Sequence, residues 1–348
     1  MLGGCASSRT AAPEDGRRWR RCAGACIINS KGHVLVGERA GGAWDLPFGE
    51  MNDAHESALD AAARLVYEEC RLRRGRDVVA VASQTEEESV RYEAGDLASD
   101  RERVGQQLQW SIFQCLDPWG DRDAAALVTC PHRRFSRAQW RPLAEVLKTS
   151  GPDEQAAYEA LQRWLEPILA ELHAGAQSVD FAGTWARDWS RSIGLDVALP
   201  TRGHSPEATA AFASKPVVQV WRRGPGAGDW TVAAFPNADT SAPPLRKLVY
   251  RLGLWEEQYE GVSSVFGKGP GTVHRHTAWL PEPDAEAGPA RGMLLAPSQL
   301  AHATTSVTRL GREAAVRFLN GRELVLRRSF WPAAGGPAVI SEEVFLRL

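Results

Sequence analysis

Apolar and polar positions alternate through RCAGACIIN and HVLVGER near the start of the chain, so both segments read as strands. Ser30-Lys31-Gly32 joins them as a hairpin, because glycine takes the positive φ of a tight turn. From Glu56 to Cys70 the period changes: Leu59, Ala62, Ala63, Val66 and Cys70 recur with helical spacing, and the opposite face is charged. RDVVAVASQT and QQLQWSIFQCL are again strand-like, separated by the acidic stretch EEESVRYEAGDLASD. RRFSRAQWRPLAEVLK closes with a short element. EQAAYEALQRWLEPILAELHAG then reads as a strong amphipathic helix, with Tyr158, Leu161, Leu165 and Leu169 on one side and Ser150-Gly151-Pro152-Asp153 as its start signal.

Spread over 348 residues, this pattern predicts two cores. Residues 1–15 read as a loose tail, 16–174 as a first domain, 175–213 as a Gly-, Pro- and Ser-punctuated connector, and 214–348 as a second domain. The second domain opens with KPVVQVWRR and includes REAAVRFLNG, which reads as helical. Its order echoes the first half: GDWTVAAFP before LRKLVYRLGL stands beside GAWDLPFGE before AARLVYEECRL. Either the second half is a degenerate duplicate, with Arg251 and Leu252 in place of the acidic pair of the first, or the shared words are coincidental.

Composition restricts the function classes. The chain is 43% hydrophobic and 24% charged, as expected of a folded protein, with a formal net charge of -2. No overall field draws it to nucleic acid or anionic membrane, so any such binding is local. Two local basic patches carry aromatics: Arg17 to Arg21, and His132 to Arg141. No apolar run approaches the roughly 20 residues of a membrane span, and no membrane partner is expected. The cysteines, all within the first 130 residues, include no CxxC pair and read as reduced and buried. That usage favours an intracellular protein, cytoplasmic or mitochondrial. His274 and His276 share one side of a strand without a completing ligand pattern, and Glu256-Glu257 reads as helix-end charge.

The candidate chemistry lies on the first helix. Glu68 and Glu69 form an adjacent carboxylate pair, approached by the turn Pro47-Phe48-Gly49-Glu50, where Gly49 can offer a carbonyl. Oxygen donors of this kind suit Mg2+ or Mn2+, which would offset phosphate charge and lower the pKa of an attacking water. The competing reading is an ordinary amphipathic helix with a solvated charged face.

The segment GEMNDAHESALDAAARLVYEECRL, from Gly49 to Leu72, resembles the Nudix box, G-x5-E-x7-R-E-U-x-E-E-x-G-U with U apolar. Gly49 matches its glycine, Glu56 its first glutamate, Arg64 its arginine, Glu68 and Glu69 its acidic pair, and Leu72 its last apolar position. WDLPFG, from Trp44, is similar to the W-x-x-P-x-G run that precedes the box, and GQQLQWSIF and FSRAQWRPL resemble strands of RNA pyrophosphohydrolases and dinucleoside-polyphosphate hydrolases. The resemblance implies an α/β (α+β) fold, a Nudix-like α/β/α sandwich on a mixed sheet, followed by a second, degenerate Nudix-like domain if the duplication is real. It implies Glu56, Arg64, Glu68 and Glu69 as the catalytic set, metal at Glu68, Glu69 and Gly49, and substrate contacts from Trp44, Gln106, Gln109, Trp110 and Arg134.

Three departures lie within the box. Six residues rather than five separate Gly49 from Glu56, Leu65 stands where the family has a metal-binding glutamate, and Arg71 replaces the glycine that ends the helix. Beyond the box, Arg134 occupies the place of a further metal-binding glutamate, where an arginine could bind phosphate directly. Two functions follow. One is a divergent pyrophosphohydrolase using Mg2+ or Mn2+ on 5′-triphosphorylated RNA or dinucleoside polyphosphates. The other is a non-catalytic Nudix-like protein without a cofactor, which binds a nucleotide or RNA 5′ end or serves a large protein or ribonucleoprotein complex, mitochondrial in one version.

Overall fold

The structure is a computed structural model, and it describes residues 18–39, 42–52, 55–93, 104–117, 135–226, 228–259, 262–263, 267–268, 271–281 and 300–348. The first unit is built on strands β1 (Arg18–Ile28), β2 (Val34–Arg39), β3 (Trp44–Asp45), β4 (Phe48–Glu50), β5 (Val78–Ser83), β6 (Val90–Glu93), β7 (Val104–Cys115) and β8 (Phe135–Arg141). β1 and β7 run parallel along eleven residue pairs from Arg18↔Val104 to Ile28↔Gln114, and the other pairings are antiparallel. The sheet is therefore mixed, as the Nudix resemblance implies. Helix α1 (Ala58–Cys70) covers one face, where Leu59, Ala62, Leu65 and Val66 meet Ala23, Ala25, Ile27 and Phe113. After α2 (Leu143–Thr149), α3 (Pro152–Ser178) covers the other, where Ala157, Tyr158, Leu161 and Leu165 meet Cys22, Cys26, Ile28, Leu108 and Ile112. Strand alternation explains both contacts, since successive β1 side chains point to opposite faces. Cys22, Cys26, Cys70 and Cys115 are all buried thiols outside any disulfide, and burial raises the Cys22 thiol to about 11.

The second half is not a second Nudix-like domain. It is one ten-stranded sheet in the order β12-β11-β10-β9-β20-β19-β18-β17-β16-β13, and every pairing is antiparallel. Its members are β9 (Gly183–Ile193), β10 (Val218–Arg223), β11 (Trp230–Phe235), β12 (Arg246–Tyr250), β13 (Gly253–Tyr259), β16 (Gly271–Pro281), β17 (Leu300–Thr308), β18 (Gly311–Asn320), β19 (Glu323–Pro332) and β20 (Val339–Arg347). A separate two-residue pair, β14 (Val262–Ser263) and β15 (Gly267–Lys268), lies between β13 and β16 in sequence. The helix-like word LRKLVYRLGL splits into β12 and β13, with Arg251 and Leu252 as the link between them. REAAVRFLNG forms β18 rather than a helix. Residues 175–213, read from sequence as a connector, supply β9 and the short helices α4 (Leu195–Thr201) and α5 (Pro206–Ser214). Glu256 and Glu257 sit on β13, not at a helix end.

Connectivity dictates the shape of this sheet. Laid flat, ten strands would separate β12 from β13 by about 43 Å. Residues 250 and 253 can be no more than about 11 Å apart. The sheet therefore curls until its edges face each other, and side chains bridge the gap: Arg246 pairs with Glu257, and the Tyr250 and Trp255 rings lie 5.8 Å apart. Phe181, just before β9, plugs the enclosed space, with ring centroids 5.4 Å from Trp221, 5.4 Å from Trp230 and 5.8 Å from Trp279.

The two units share one core. α3 begins on the first sheet and ends with Leu172 and Ala176 in the apolar cluster that continues into Phe181, Trp221 and Trp279. Arg312 of β18 adds a polar clasp: its Nη1 lies 2.9 Å from Asp77 and 2.6 Å from Asp117, and its Nη2 donates to the Leu116 carbonyl at 3.2 Å.

Two stability outcomes follow. Arg312→Leu takes the guanidinium away from two carboxylates at the interface and is expected to cost about 3 kcal/mol, read as a lowered urea midpoint; an unchanged midpoint would show that the clasp adds no stability. Arg71 caps α1 at φ 61° and ψ 14°, a left-handed conformation that strains a side chain. Arg71→Gly should accordingly raise stability by about 1 kcal/mol in the same titration, and a loss would show that the Arg71 contact with Tyr67 outweighs the strain.

Candidate functional site

The turn before α1 is held in place by residues from three elements. Asp45 is buried, accepts the Leu46 N–H at 2.9 Å, and is bound by Arg39 and by the hydroxyl of Tyr158 from α3. Ser57 then caps α1, its Oγ accepting the Asp60 N–H at 3.1 Å from an extended backbone. These contacts explain why WDLPFG runs straight into the helix. Asp45 and Ser57 are site-building residues that the motif comparison passed over; the S-x-x-D spacing before an apolar run was the available signal for Ser57.

Arg64 fastens the helix to the turn. Its Nε donates to Glu56 Oε1 at 2.8 Å, and its Nη2 donates to Glu56 Oε2 and to the Glu50 carbonyl, each at 3.0 Å. Glu56 Oε2 also accepts the Asn52 N–H at 2.5 Å. The Glu56 carboxylate holds the guanidinium above its ordinary pKa. Both oxygens of Glu56 are thereby committed to the fold of the turn.

The acidic pair lies one turn further along α1. Glu68 is partly exposed, with Oε2 3.6 Å from Arg64 Nη1, and Glu69 is partly buried beside it. Leu65 is only 6% exposed and belongs to the apolar core under α1. Its Cδ2 lies 3.0 Å from the point where a side chain on Gly49 would begin. Hydrocarbon thus fills the space between turn and helix where the resemblance implies a carboxylate.

A resident divalent ion does not fit this donor set. Mg2+ and Mn2+ sites gather several oxygens around one point. Among the described residues, no three or more His, Cys, Asp or Glu side chains converge in that way. Nearby carboxylates are engaged elsewhere: Glu50 with Arg20, Asp60 with Ser57 and Arg74, and Glu88 with Thr85. Of the expected metal set, Glu68 and Glu69 stand as a carboxylate pair beside Arg64, and Gly49 lies in the turn against Leu65. Asp53, Asp121, Asp123 and Arg134 lie outside the described residues.

The expected substrate contacts divide. Trp110 is fully buried, donates its indole N–H to the Ala157 carbonyl at 3.2 Å, and packs on Tyr158, so it belongs to the core and has no face for a base. Gln109 is buried and donates to the Gln84 carbonyl at 3.3 Å. Gln106 is partly exposed and accepts from the Tyr92 hydroxyl at 2.6 Å. Trp44 is partly exposed, with the Arg141 guanidinium 4.2 Å and that of Arg137 5.2 Å from its ring. Arg137 also forks onto Glu38, and this hydrogen bond holds the Glu38 carboxyl below its usual range. From sequence, these two arginines were visible only as members of a basic segment; pairing of β8 with β2 and of β2 with β3 brings them to Trp44.

No helix among the described residues is long and apolar enough to cross a membrane. The ten-stranded sheet is similar to the fluorescent protein UnaG, at 16% identity and a TM-score of 0.33 over 48% of this chain and 97% of that one. It is also similar to fatty-acid-binding protein 1 of Echinococcus granulosus, at 12% identity and a TM-score of 0.32 over 48% and 97%. Likeness at this level assigns no ligand, and the architecture of the second unit rests on its own strand pairing. The first unit is similar to the RNA pyrophosphohydrolase of Bradyrhizobium sp. (strain ORS 278), 28% identical over 154 residues, which make up 42% of this chain and 90% of that protein. The corresponding protein of Sphingopyxis alaskensis is 27% identical over 158 residues, 43% of this chain and 95% of its own. Residues 18–163 match the family model of the NUDIX domain, so the first unit is Nudix-like.

Proposed function

We propose that the Nudix-type domain binds the phosphorylated 5′ end of RNA, or a dinucleoside polyphosphate of the same chemistry, without hydrolysing it. The observation that carries this reading is the closed space between turn and helix: Leu65 packs against Gly49, and Arg64 holds both oxygens of Glu56. Hydrolysis of a phosphoanhydride by this kind of site needs clustered oxygen ligands to place metal and water, and the described residues supply a pair. Binding needs less. The Trp44 ring offers a stacking surface, and the Arg141 guanidinium 4.2 Å from it is suited to phosphate oxygens. Similarity to the RNA pyrophosphohydrolases supports the choice of ligand class.

The test measures binding and turnover together on the full chain. With Mg2+ or Mn2+ present, 5′-triphosphorylated RNA should bind more tightly than the same RNA with a 5′ hydroxyl. Arg141→Ala should weaken the triphosphorylated ligand about tenfold, and phosphate release should not exceed the blank for this RNA or for diadenosine tetraphosphate. Turnover that disappears in the Glu68→Gln, Glu69→Gln double variant would replace this reading with the hydrolase. Equal affinity for the two RNA ends would remove phosphate recognition.

A further inference from the structure

The outer face of the curled sheet is apolar in two places. On β16, β17 and β18 it meets the first unit, where Ala278, Leu280 and Ala303 pack with Leu116 and Val79, and Thr305 Oγ1 donates to the Leu116 carbonyl. The second place is β20 and its neighbour β9. Side chains of β20 alternate, with Glu343 and Phe345 buried inside the curl and Ile340, Glu342, Val344 and Leu346 on the outside. Ile193 of β9 stands opposite Glu342, and Asp188 opposite Val344, so β9 bulges between them and carries Trp189 in the bulge. Val197 follows on the first turn of α4, whose start is pressed onto β20: a side chain at Gly194 would begin 2.4 Å from the Ile340 carbonyl oxygen.

Trp189, Ile193 and Ile340 are between 62% and 66% exposed, Val197 is 54% exposed and Leu346 39%. These are five of the nine large apolar side chains exposed among the described residues, so they form a patch and not the ordinary scatter of single residues. At such exposures the five present roughly 500 Å2, near the top of the range of about 300 to 600 Å2 for the largest patch of a monomer. With its polar rim the face approaches the roughly 800 Å2 that each partner buries in a stable interface.

Charge selects the partner. Arg191 reaches across β20 to Glu323, with Nη2 2.8 Å from Oε2, and Arg327 Nε donates to Glu342 at 3.0 Å. Asp188 adds a further carboxylate, which accepts the Ser190 hydroxyl at 2.6 Å. Each of these arginines has a carboxylate beside it, so the rim offers no excess positive charge to an anionic lipid surface or a phosphate backbone. Both signs side by side are self-complementary, because a two-fold rotation can set such a rim on its own image with unlike charges in contact. β9 and β20 also have strand neighbours on both sides, so the contact is made face to face and not by adding a strand.

We infer that the outer face of β9 and β20 is the contact surface for a second copy of this chain, packed about a two-fold axis with Trp189 and Ile340 at its centre. The surface belongs to the curled unit, and nothing in this inference depends on the Nudix-like site.

The test is sedimentation equilibrium of the full chain over a range of micromolar concentrations. A reversible two-chain species is expected. Trp189→Ser and Ile340→Glu should each weaken it at least tenfold, with an unchanged far-ultraviolet circular dichroism spectrum, since both side chains are mostly outside the core. Leu245→Glu alters an equally exposed residue next to β12, three strands from β9, and should leave the two-chain species intact. A monomer at every concentration would overturn the inference, as would a two-chain species insensitive to both patch variants or equally sensitive to Leu245→Glu. Binding of a monomeric chain to vesicles of phosphatidylcholine and phosphatidylglycerol, lost in Trp189→Ser, would overturn it in favour of a lipid surface.

Discussion

The molecule depends on one helix with two obligations. α3, from Pro152 to Ser178, buries Ala157, Tyr158, Leu161 and Leu165 against the mixed sheet and Leu172 and Ala176 against the curled one, so the apolar cores are continuous through it. Tyr158 adds a specific consequence, since its hydroxyl reaches Asp45 in the run that leads into the Nudix turn. A residue in the spine thereby helps to set the geometry of the candidate site. The Arg312 clasp works from the other end, fixing Asp77 in the loop that leaves α1. Turn and helix are thus tied, directly or through one contact, to both units.

Within that frame, the box keeps its turn and helix, with Leu65 in the apolar core beneath them. Arg64 and Glu56 satisfy each other, which orders the turn and neutralises a carboxylate that a cation would otherwise meet. Leu65 contributes burial where a charged side chain would need water or metal. Leu65 thus favours stability at a place where catalytic sites usually accept strain and repulsion. Nearby, Arg137 and Arg141 make a partly basic surface around Trp44.

How much of this was legible in the sequence varied with the range of the interactions involved. The first hairpin, α1 and α3 followed from period alone, since their apolar stripes are local. The Nudix turn followed from a motif whose residues contact one another within sixteen positions. The second sheet was misread because its charged residues are inside. In REAAVRFLNG, Arg312 and Arg317 look like the solvent face of a helix, yet they are buried by partners on β12, β17 and the first unit, as far as Asp77 in sequence. LRKLVYRLGL echoes a helix until Gly253, at φ 79°, opens the next strand. Trp110 shows the same limit from the other side: an aromatic next to glutamines suggested a ligand contact, but the carbonyl that accepts its N–H belongs to Ala157, 47 residues away.

On the proposed reading, the Nudix-like unit holds no catalytic divalent ion of its own, and this is what a metal titration decides. It is tested most directly by titrating the protein with Mn2+ and following free Mn2+ by electron paramagnetic resonance, with and without a triphosphorylated RNA end. The protein alone is expected to leave the free-ion signal at the level of the buffer. Loss of signal with micromolar affinity, restored by the Glu68→Gln, Glu69→Gln double variant, would contradict it and return the acidic pair to a metal centre.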